Sequence, residues 1–229
     1  MPSNDPSLPA SPVAAAPPSA ATSSQSARGA AARAQVLAAA AELFTRDGYA
    51  ATTTRAVAER AGLRQASLYH HFASKDDILA TLLVGTVAPS LEYAGRLLAE
   101  PETVPGARLW ALVRFDADLL LGGLSNLGAL YQLPEVRRER FADFRRMRCE
   151  LAGCYRALLA PLDPLALLPE QELALRSELV LGLVEGTVAI ARECANRSAG
   201  TVAEAVADAA LRVAGCADEQ VAAARGALN

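Results

Sequence analysis

The side chains best suited to contact another molecule lie close together, between residues 53 and 71 of this 229-residue chain. They are hydroxyls, an amide, guanidinium groups and flat rings, which bind phosphate oxygens or read base edges in a DNA groove. An ordinary helical hairpin with a solvated polar face is the alternative interpretation of the same residues. The candidates for DNA contact are Thr53, Thr54, Arg55, Arg64, Gln65, Ala66, Ser67, Tyr69, His70 and His71.

Two short helices separated by a glycine would hold these side chains on one surface. Thr53 can cap the first helix, because its hydroxyl accepts a hydrogen bond from a backbone N–H of the first turn. Gly62 ends that helix, since the left-handed backbone conformation favours a residue without a Cβ. This arrangement is a helix-turn-helix. Its apolar core residues are predicted to be Val57, Ala58, Ala61, Leu63, Leu68 and Phe72.

Residues 31 to 83 closely resemble the N-terminal domain of the TetR family of bacterial transcriptional repressors. The matching pieces are AAAELFTRDGY, TTTRAVAERAGL and SLYHHFASKDDIL, in the family's order and nearly at its spacing. Several linked motifs are more specific than any one of them. The resemblance implies that Lys75, at a helix N-terminus, binds a DNA phosphate. Tyr69 is a second phosphate candidate, and the candidates for reading bases are Arg55, Gln65 and His70.

The distribution of charge supports DNA contact by the N-terminal part alone. Residues 28–77 carry seven basic and five acidic side chains, whereas residues 78–229 carry 15 and 19. Only the first of these segments is suited to a polyanion. The net charge of the whole chain is −3, which argues against a general nucleic-acid coat protein.

The amino-acid composition and the positions of helix-breaking residues indicate an all-α chain in three parts. Residues 1–27 hold six prolines and seven serines and are predicted to form a disordered tail. Residues 28–73 are the predicted DNA-binding domain, and residues 74–229 the effector-binding and dimerisation domain. Pro89 is predicted to break or kink the helix that begins near Lys75. Further helices are expected at 107–121, 124–133, 136–159, 169–196 and 201–215.

The number and spacing of cysteines and the length of the apolar runs indicate the cellular compartment in which the protein is expected. The four cysteines form no CxxC pair or Cys/His cluster, which favours buried thiols over metal ligands or disulfides. The apolar runs fall short of the roughly 18 residues of a membrane-spanning helix. We therefore expect a cytoplasmic protein without a membrane, metal or cofactor partner. The cysteines are Cys149, Cys154, Cys194 and Cys216.

The last two expected helices have more apolar surface than one neighbour can cover, which predicts a homodimer. A core formed entirely within one chain is the alternative. The family resemblance implies a four-helix bundle made with the same helices of a second subunit. The predicted interface residues are Leu179, Gly182, Leu183, Gly186, Ile190, Val206, Ala210 and Val213.

Large rings accumulate between the two ends of the chain, where the resemblance implies an apolar pocket for a small effector. Each ring taken alone fits a core position better than a pocket wall. Trp110 is expected at the wall, because its indole N–H needs a polar partner when buried. The pocket candidates are Trp110, Tyr131, Phe141, Phe144, Met147, Tyr155 and Glu185.

These features favour a ligand-responsive, sequence-specific DNA-binding regulator. An enzyme is not expected, since the two histidines lie on the DNA face and no catalytic or metal constellation is present. The alternatives are a constitutive architectural DNA-binding protein without an effector and a transcriptional activator. The expected partners are an operator in double-stranded DNA, a small apolar or amphipathic effector and a second copy of the chain.

Overall fold

The computed structural model describes residues 20–100, 104–122, 127–162, 168–194 and 196–228, with side chains from residue 27 onward. Within these ranges the secondary structure consists of α-helices and 3₁₀ helices, and strands are absent. The predicted all-α fold class is therefore confirmed.

The N-terminal part consists of three helices, followed by a longer fourth helix that leads into the rest of the chain. The bounds are α1 Ala20–Arg46, α2 Thr54–Arg60, α3 Gln65–His71 and α4 Lys75–Ala99. The core of this part is formed by apolar side chains of all four helices and of Tyr49. Helices α2 and α3 pack against each other and against α1, and α1 packs against α4.

The first helix begins earlier than the sequence predicts. Residues 20–27 were assigned to the disordered tail, but they are helical and belong to α1. The three alanines of this segment favour the helix, whereas its serines and Thr22 are weaker helix formers, which is why composition alone predicts a tail. Residues 1–19, the remainder of the predicted tail, lie outside the described residues.

Helix α4 does not break at Pro89, so of the two predicted outcomes, a break or a kink, the break is wrong. The helix continues to Ala99 with Pro89 inside it. A proline removes one backbone hydrogen bond, to the carbonyl four residues earlier. That residue is Gly85, which is exposed, so its carbonyl can bond water instead. Packing of α4 against α1, α5 and α6 then holds the helix together.

Helix α4 is also long and apolar enough to cross a membrane by length and composition alone, with a mean hydropathy of 1.3 over its most apolar window. Of that window, 44% is buried inside the fold. Part of its apolar face is thus covered by the neighbouring helices α1, α5 and α6.

The second part adds six helices, of which α5 packs against α4 and against each of the other five. Helix α6 packs along α4, α5 packs against α9, and α7 packs against α6. The bounds are α5 Pro105–Leu121, α6 Ala142–Leu159, α7 Glu170–Glu185, α8 Thr187–Glu193, α9 Ala199–Val213 and α10 Asp218–Gly226. Three 3₁₀ helices connect α5 to α6, at Leu127–Gln132, Pro134–Arg137 and Glu139–Phe141.

Three boundaries in this part differ from prediction. The segment from 127 to 141 is 3₁₀ rather than α-helical, because Pro134 interrupts it and the pieces are too short for full α-helical turns. Gly186 separates α7 from α8, which the sequence predicts as one helix. Helix α10 was not predicted, since it buries only Val221 and Ala224 and has no extended apolar stripe.

The cysteines are less buried than expected. Cys149 is exposed, and Cys154, Cys194 and Cys216 are half-buried; all four are free thiols. Partial burial raises the pKa of the Cys154 and Cys216 thiols above the usual value. The expectation of buried thiols is therefore wrong for Cys149.

Candidate DNA interface and interior cavity

The helix-turn-helix forms as its local signals predict. The Ala56 N–H donates to the Thr53 hydroxyl over 3.1 Å, which caps α2. Gly62 has a φ of +68°, the left-handed conformation that favours glycine. Leu68 and Phe72 are buried in the core that α3 shares with α1. The opposite face of α3 is therefore directed to solvent.

A cluster of three polar side chains lies on this solvent face and connects α2 to α3. The Thr54 and Tyr69 hydroxyls are 3.0 Å apart, and Gln65 Nε2 donates to the Thr54 hydroxyl over 3.4 Å. Tyr69 is 49% exposed. These contacts orient an amide and a phenol towards solvent, and both groups can hydrogen-bond to a base edge or a phosphate.

The other predicted contact residues divide by exposure. Arg55 is exposed and pairs with Glu59 over 2.9 Å, an ion pair that water screens and that DNA can replace. His71 is half-buried, and its carbonyl accepts a hydrogen bond from Arg33. Ser67 is also half-buried. The remaining exposed candidates are Thr53, Arg64, Ala66 and His70.

The ammonium group of Lys75 is hydrogen-bonded to backbone carbonyls of its own chain, so it has a structural role besides the predicted contact with phosphate. Its ammonium donates to the carbonyls of Tyr49 and Thr52 over 2.8 and 2.9 Å, and to that of Ala50 over 3.4 Å. It also lies 4.3 Å from the centre of the Tyr49 ring. An ammonium has three N–H donors, and three carbonyls receive them. Lys75 therefore holds the loop before α2; phosphate binding stays a prediction that requires one of these bonds to break.

Carboxylates at the beginning of α4 connect the helix-turn-helix to the second part of the molecule. Asp76 accepts a hydrogen bond from the Tyr49 hydroxyl and pairs with Arg138 at 3.7 Å. Asp77 pairs with Arg140. Both arginines belong to the 3₁₀ segment that precedes α6. These two ion pairs join that segment to the beginning of α4.

The predicted dimer residues of α7 and α8 are mostly open to solvent in the single chain. Leu179 is 54% exposed and Ile190 38% exposed; Gly182 is exposed, and Leu183 and Gly186 are half-buried. Large exposed apolar side chains on one face are typical of an interface. Leu175, also 54% exposed, lies one helical turn before Leu179 and was not predicted.

The predicted interface residues of α9 are placed differently. Val206 and Ala210 are buried, since α9 packs closely against α5 of the same chain. Val213 is half-buried. The prediction of Val206 and Ala210 as interface residues is therefore wrong, because the apolar stripe of α9 is used within one chain.

Trp110 lies away from the interior cavity. It is 7% exposed, and its indole N–H donates to Asp208 of α9 over 2.8 Å. Asp208 is in turn bonded to Arg225 of α10. The expectation that Trp110 forms a pocket wall is wrong, because its polar partner is a carboxylate between α5, α9 and α10.

The other ring candidates separate into cavity and core positions. Tyr131 lines the interior cavity, and Phe144 packs on it with ring centres 5.1 Å apart. Tyr155 is fully buried behind the cavity. Phe141 lines a groove between α4 and the segment before α6, and Met147 packs against the core. Of these rings, Tyr131 alone lines the interior cavity.

The interior cavity lies among α4, α5, α6 and α7; it is small and mostly apolar, with a few polar groups in its wall. Its volume is about 20 Å³, room for one water molecule. Aliphatic side chains from all four helices form most of its wall. Arg148 and Glu185 form an ion pair of 2.6 Å on one side. The polar residues of the lining are Thr86, Asp116, Tyr131, Arg148 and Glu185.

Asp116 is the functional candidate that the sequence analysis missed. Its side chain is 4% exposed, and its Oδ2 accepts a hydrogen bond of 2.5 Å from the Tyr155 hydroxyl. Burial raises its pKa to about 6, which the hydroxyls of Ser90 and Tyr155 partly oppose. A signal was present, because Asp116 falls on the apolar stripe of α5 together with Leu112, Val113 and Leu120.

Comparisons with known proteins agree with this geometry. The family model described as "Bacterial regulatory proteins, tetR family" matches residues 36–82, which contain the helix-turn-helix. The transcriptional repressor KstR2 of Mycobacterium tuberculosis is 47% identical over 53 residues. That alignment covers 23% of this chain and 26% of KstR2, so the chain matches about a quarter of that curated relative.

Solved structures extend the similarity over most of the chain. The crystal structure of Mycobacterium smegmatis AmtR is similar with a TM-score of 0.69 and 44% identity, over 84% of this chain and 91% of that one. A TetR-family transcriptional regulator from Bordetella parapertussis has a TM-score of 0.68. At 22% identity, over 78% of this chain and 93% of that one, it supports the fold alone.

Proposed function

The chain belongs to the TetR family of bacterial transcriptional regulators, which are not enzymes, and we propose that it is a homodimeric repressor of the cytoplasm, released from its operator by a small effector. The observation that carries this proposal is the solvent-facing surface of α3, where Thr54, Gln65 and Tyr69 are linked by hydrogen bonds. Gln65 is exposed and Tyr69 is 49% exposed, so both groups are accessible to a partner outside the chain. A major groove offers partners for both.

The proposed DNA contacts follow from exposure and chemistry. Gln65, Arg55 and His70 are exposed and are assigned to base edges, with Tyr69 on a phosphate. Two subunits would place two copies of α3 in successive major grooves, about 34 to 36 Å apart along the DNA or at multiples of that spacing. An inverted repeat is then the expected operator, because a twofold dimer reads the same sequence on both strands.

Selection from a random DNA library tests this part of the proposal. We expect the protein to enrich an inverted repeat, with affinity that falls steeply as salt is raised, because cationic contacts release counterions. Tight binding without an enriched sequence would favour the alternative, a constitutive architectural protein. Absence of binding at low salt would refute DNA binding itself.

The proposed dimer uses the exposed apolar face of α7 and α8. Leu179→Glu would place a charge where two subunits meet, and we expect monomers or aggregates by light scattering. The matched control is Leu98→Glu, since Leu98 is an exposed leucine of a different helix, α4. An unchanged dimer in Leu179→Glu would place the interface elsewhere.

The proposed release mechanism couples the interior cavity to the DNA-binding helices. The cavity contacts α4 at Thr86, and the beginning of the same helix is held by Arg138 and Arg140 through Asp76 and Asp77. An effector that prefers one arrangement of these elements would change the spacing of the two α3 helices. Typical couplings of about 1 to 3 kcal/mol would lower operator affinity roughly 5- to 150-fold.

A further inference from the structure

The chemistry of the interior cavity indicates which ligands it accepts, an inference that rests on the proposed effector function. Asp116 provides the starting point. Its Oδ2 is bonded to Tyr155, but within the described residues its Oδ1 has no hydrogen-bond partner. Ser90 lies beside the carboxyl without meeting hydrogen-bond geometry. A buried, unpaired carboxylate oxygen is costly, so a group that pairs with it would bind favourably.

The hydroxyls of the cavity present acceptors rather than donors. The Thr86 hydroxyl donates to the Leu83 carbonyl over 2.7 Å, and the Tyr131 hydroxyl donates to Thr86 over 2.5 Å. Each hydroxyl has one proton, and both protons are therefore used. What remains for a ligand at Thr86, Tyr131 and Asp116 is a set of oxygen lone pairs. The complementary group is a donor of several hydrogen bonds.

The charge of the lining points in the same direction. Glu185 is balanced by Arg148 across 2.6 Å, whereas no cationic side chain pairs with Asp116 among the described residues. With Asp116 ionised, the lining carries one uncompensated negative charge. A cation in the cavity would neutralise it in a region of low dielectric, where the attraction is strong.

Size restricts the part of the ligand that enters. About 20 Å³ holds one small head group, and the rest of the molecule has to leave past Tyr131 and Arg148. These two residues also line an outer groove of about 320 Å³, which is bordered by Arg137 and Arg145. The groove favours a neutral or anionic far end, because a second cation would meet the arginines.

We propose that this cavity is a binding site for small primary amines, with the ammonium group bonded to Asp116 Oδ1 and the remainder of the ligand directed towards the arginine-lined groove. Water held by Asp116 alone is the competing interpretation. The two differ in whether a protonated amine binds more tightly than its neutral and anionic analogues.

Calorimetric titration of the full chain without DNA tests the proposal with four-carbon probes. Butylammonium and 4-aminobutanoate are expected to bind, whereas butan-1-ol and butanoate are expected not to. Butyltrimethylammonium keeps the charge but cannot donate, and it should also fail to bind. Equal affinity for the alcohol or for butanoate, or no binding by either amine, would overturn the proposal.

Asp116→Asn gives the matching variant, because the amide oxygen can still accept from Tyr155 while the charge is removed. Amine affinity should fall roughly tenfold to hundredfold, the range for a lost charged hydrogen bond. Asp118→Asn is the control, since Asp118 is an exposed carboxylate of the same helix that pairs with Arg114. Should Asp116→Asn fail to fold, the wild-type probe series decides alone. Failure of amine binding leaves the DNA selection result untouched, so the two proposals are refuted separately.

Discussion

Replacement of Asp116 by Asn should change how the stability of the protein depends on pH. The pKa of this carboxyl is raised from 3.8 to about 6 in the folded chain, chiefly by burial. A raised pKa means that folding favours the protonated acid. Its contribution to stability is therefore fully present below about pH 4 and is lost as the pH rises through about 6.

The magnitude follows from the size of that change. One pKa unit corresponds to about 1.4 kcal/mol, so the full contribution is about 3 kcal/mol. Because the unfolded carboxyl is already partly ionised at pH 4, the wild type should lose about 2.4 kcal/mol relative to Asp116→Asn between pH 4 and pH 7. A constant effect of the amide, such as an N–H left facing the cavity, cancels in this comparison. The other titratable or charged groups that face Asp116 are unchanged in the variant; they are Tyr131, Arg148, Tyr155 and Glu185.

Urea denaturation followed by far-UV circular dichroism, at one protein concentration and several pH values, measures the difference. We expect the free energy of unfolding of Asp116→Asn to gain on that of the wild type steadily from pH 4 to pH 7. Asp118→Asn should give a much smaller change, because its charge is solvated. A difference between Asp116→Asn and wild type that is constant across this range would refute the argument that the carboxylate is buried and unpaired.

Three further predictions concern other parts of the molecule. Lys75→Ala should lower the free energy of unfolding by roughly 1 to 2 kcal/mol in thermal or urea unfolding, since three carbonyls lose their donor; unchanged stability would restore a role limited to phosphate. Gln65→Ala should relax base preference at one operator position by roughly 1 to 3 kcal/mol in competition binding, while a uniform loss across sequences would assign it to the backbone. Asp208→Asn should shift the fluorescence emission of Trp110, whereas amine binding should leave that emission unchanged; the opposite pattern would place Trp110 beside the ligand.

Local signals explain why the DNA-binding part was predictable. The Thr53 cap, the glycine at position 62 and the spacing of apolar residues each act within one or two helical turns. The structure reproduces them with the predicted partners. The fold class followed from the same short-range periodicity. Little tertiary information was needed to place the exposed face of α3.

The misplaced residues depend on contacts between distant segments. Trp110 was assigned by its neighbourhood in sequence, but its partner Asp208 is 98 residues away. The sequence around Lys75 predicts a free cation, but its ammonium donates to carbonyls of the loop before α2, more than 20 residues earlier in the chain. Val206 lies on an apolar stripe that fits a second subunit as well as α5 of its own chain. The periodicity of apolar residues shows that one face of a helix is covered. It does not show whether another helix of the same chain or a second subunit covers it.

The continuous course of α4 past Pro89 has a mechanical consequence. From Pro89 to Lys75 the helix is a lever of roughly 21 Å, at 1.5 Å for each residue. The hydrogen bond that Pro89 cannot donate makes this point of the lever more compliant than a regular helical turn, and its neighbour Ser90 lies against Asp116. A bend of only about 10° there would displace the helix-turn-helix by roughly 4 Å. That displacement is about three quarters of the roughly 5.4 Å pitch of an α-helix. The proline thus sets the stiffness of the connection between the cavity and the DNA, and Pro89→Ala would be expected to make α4 a more rigid rod.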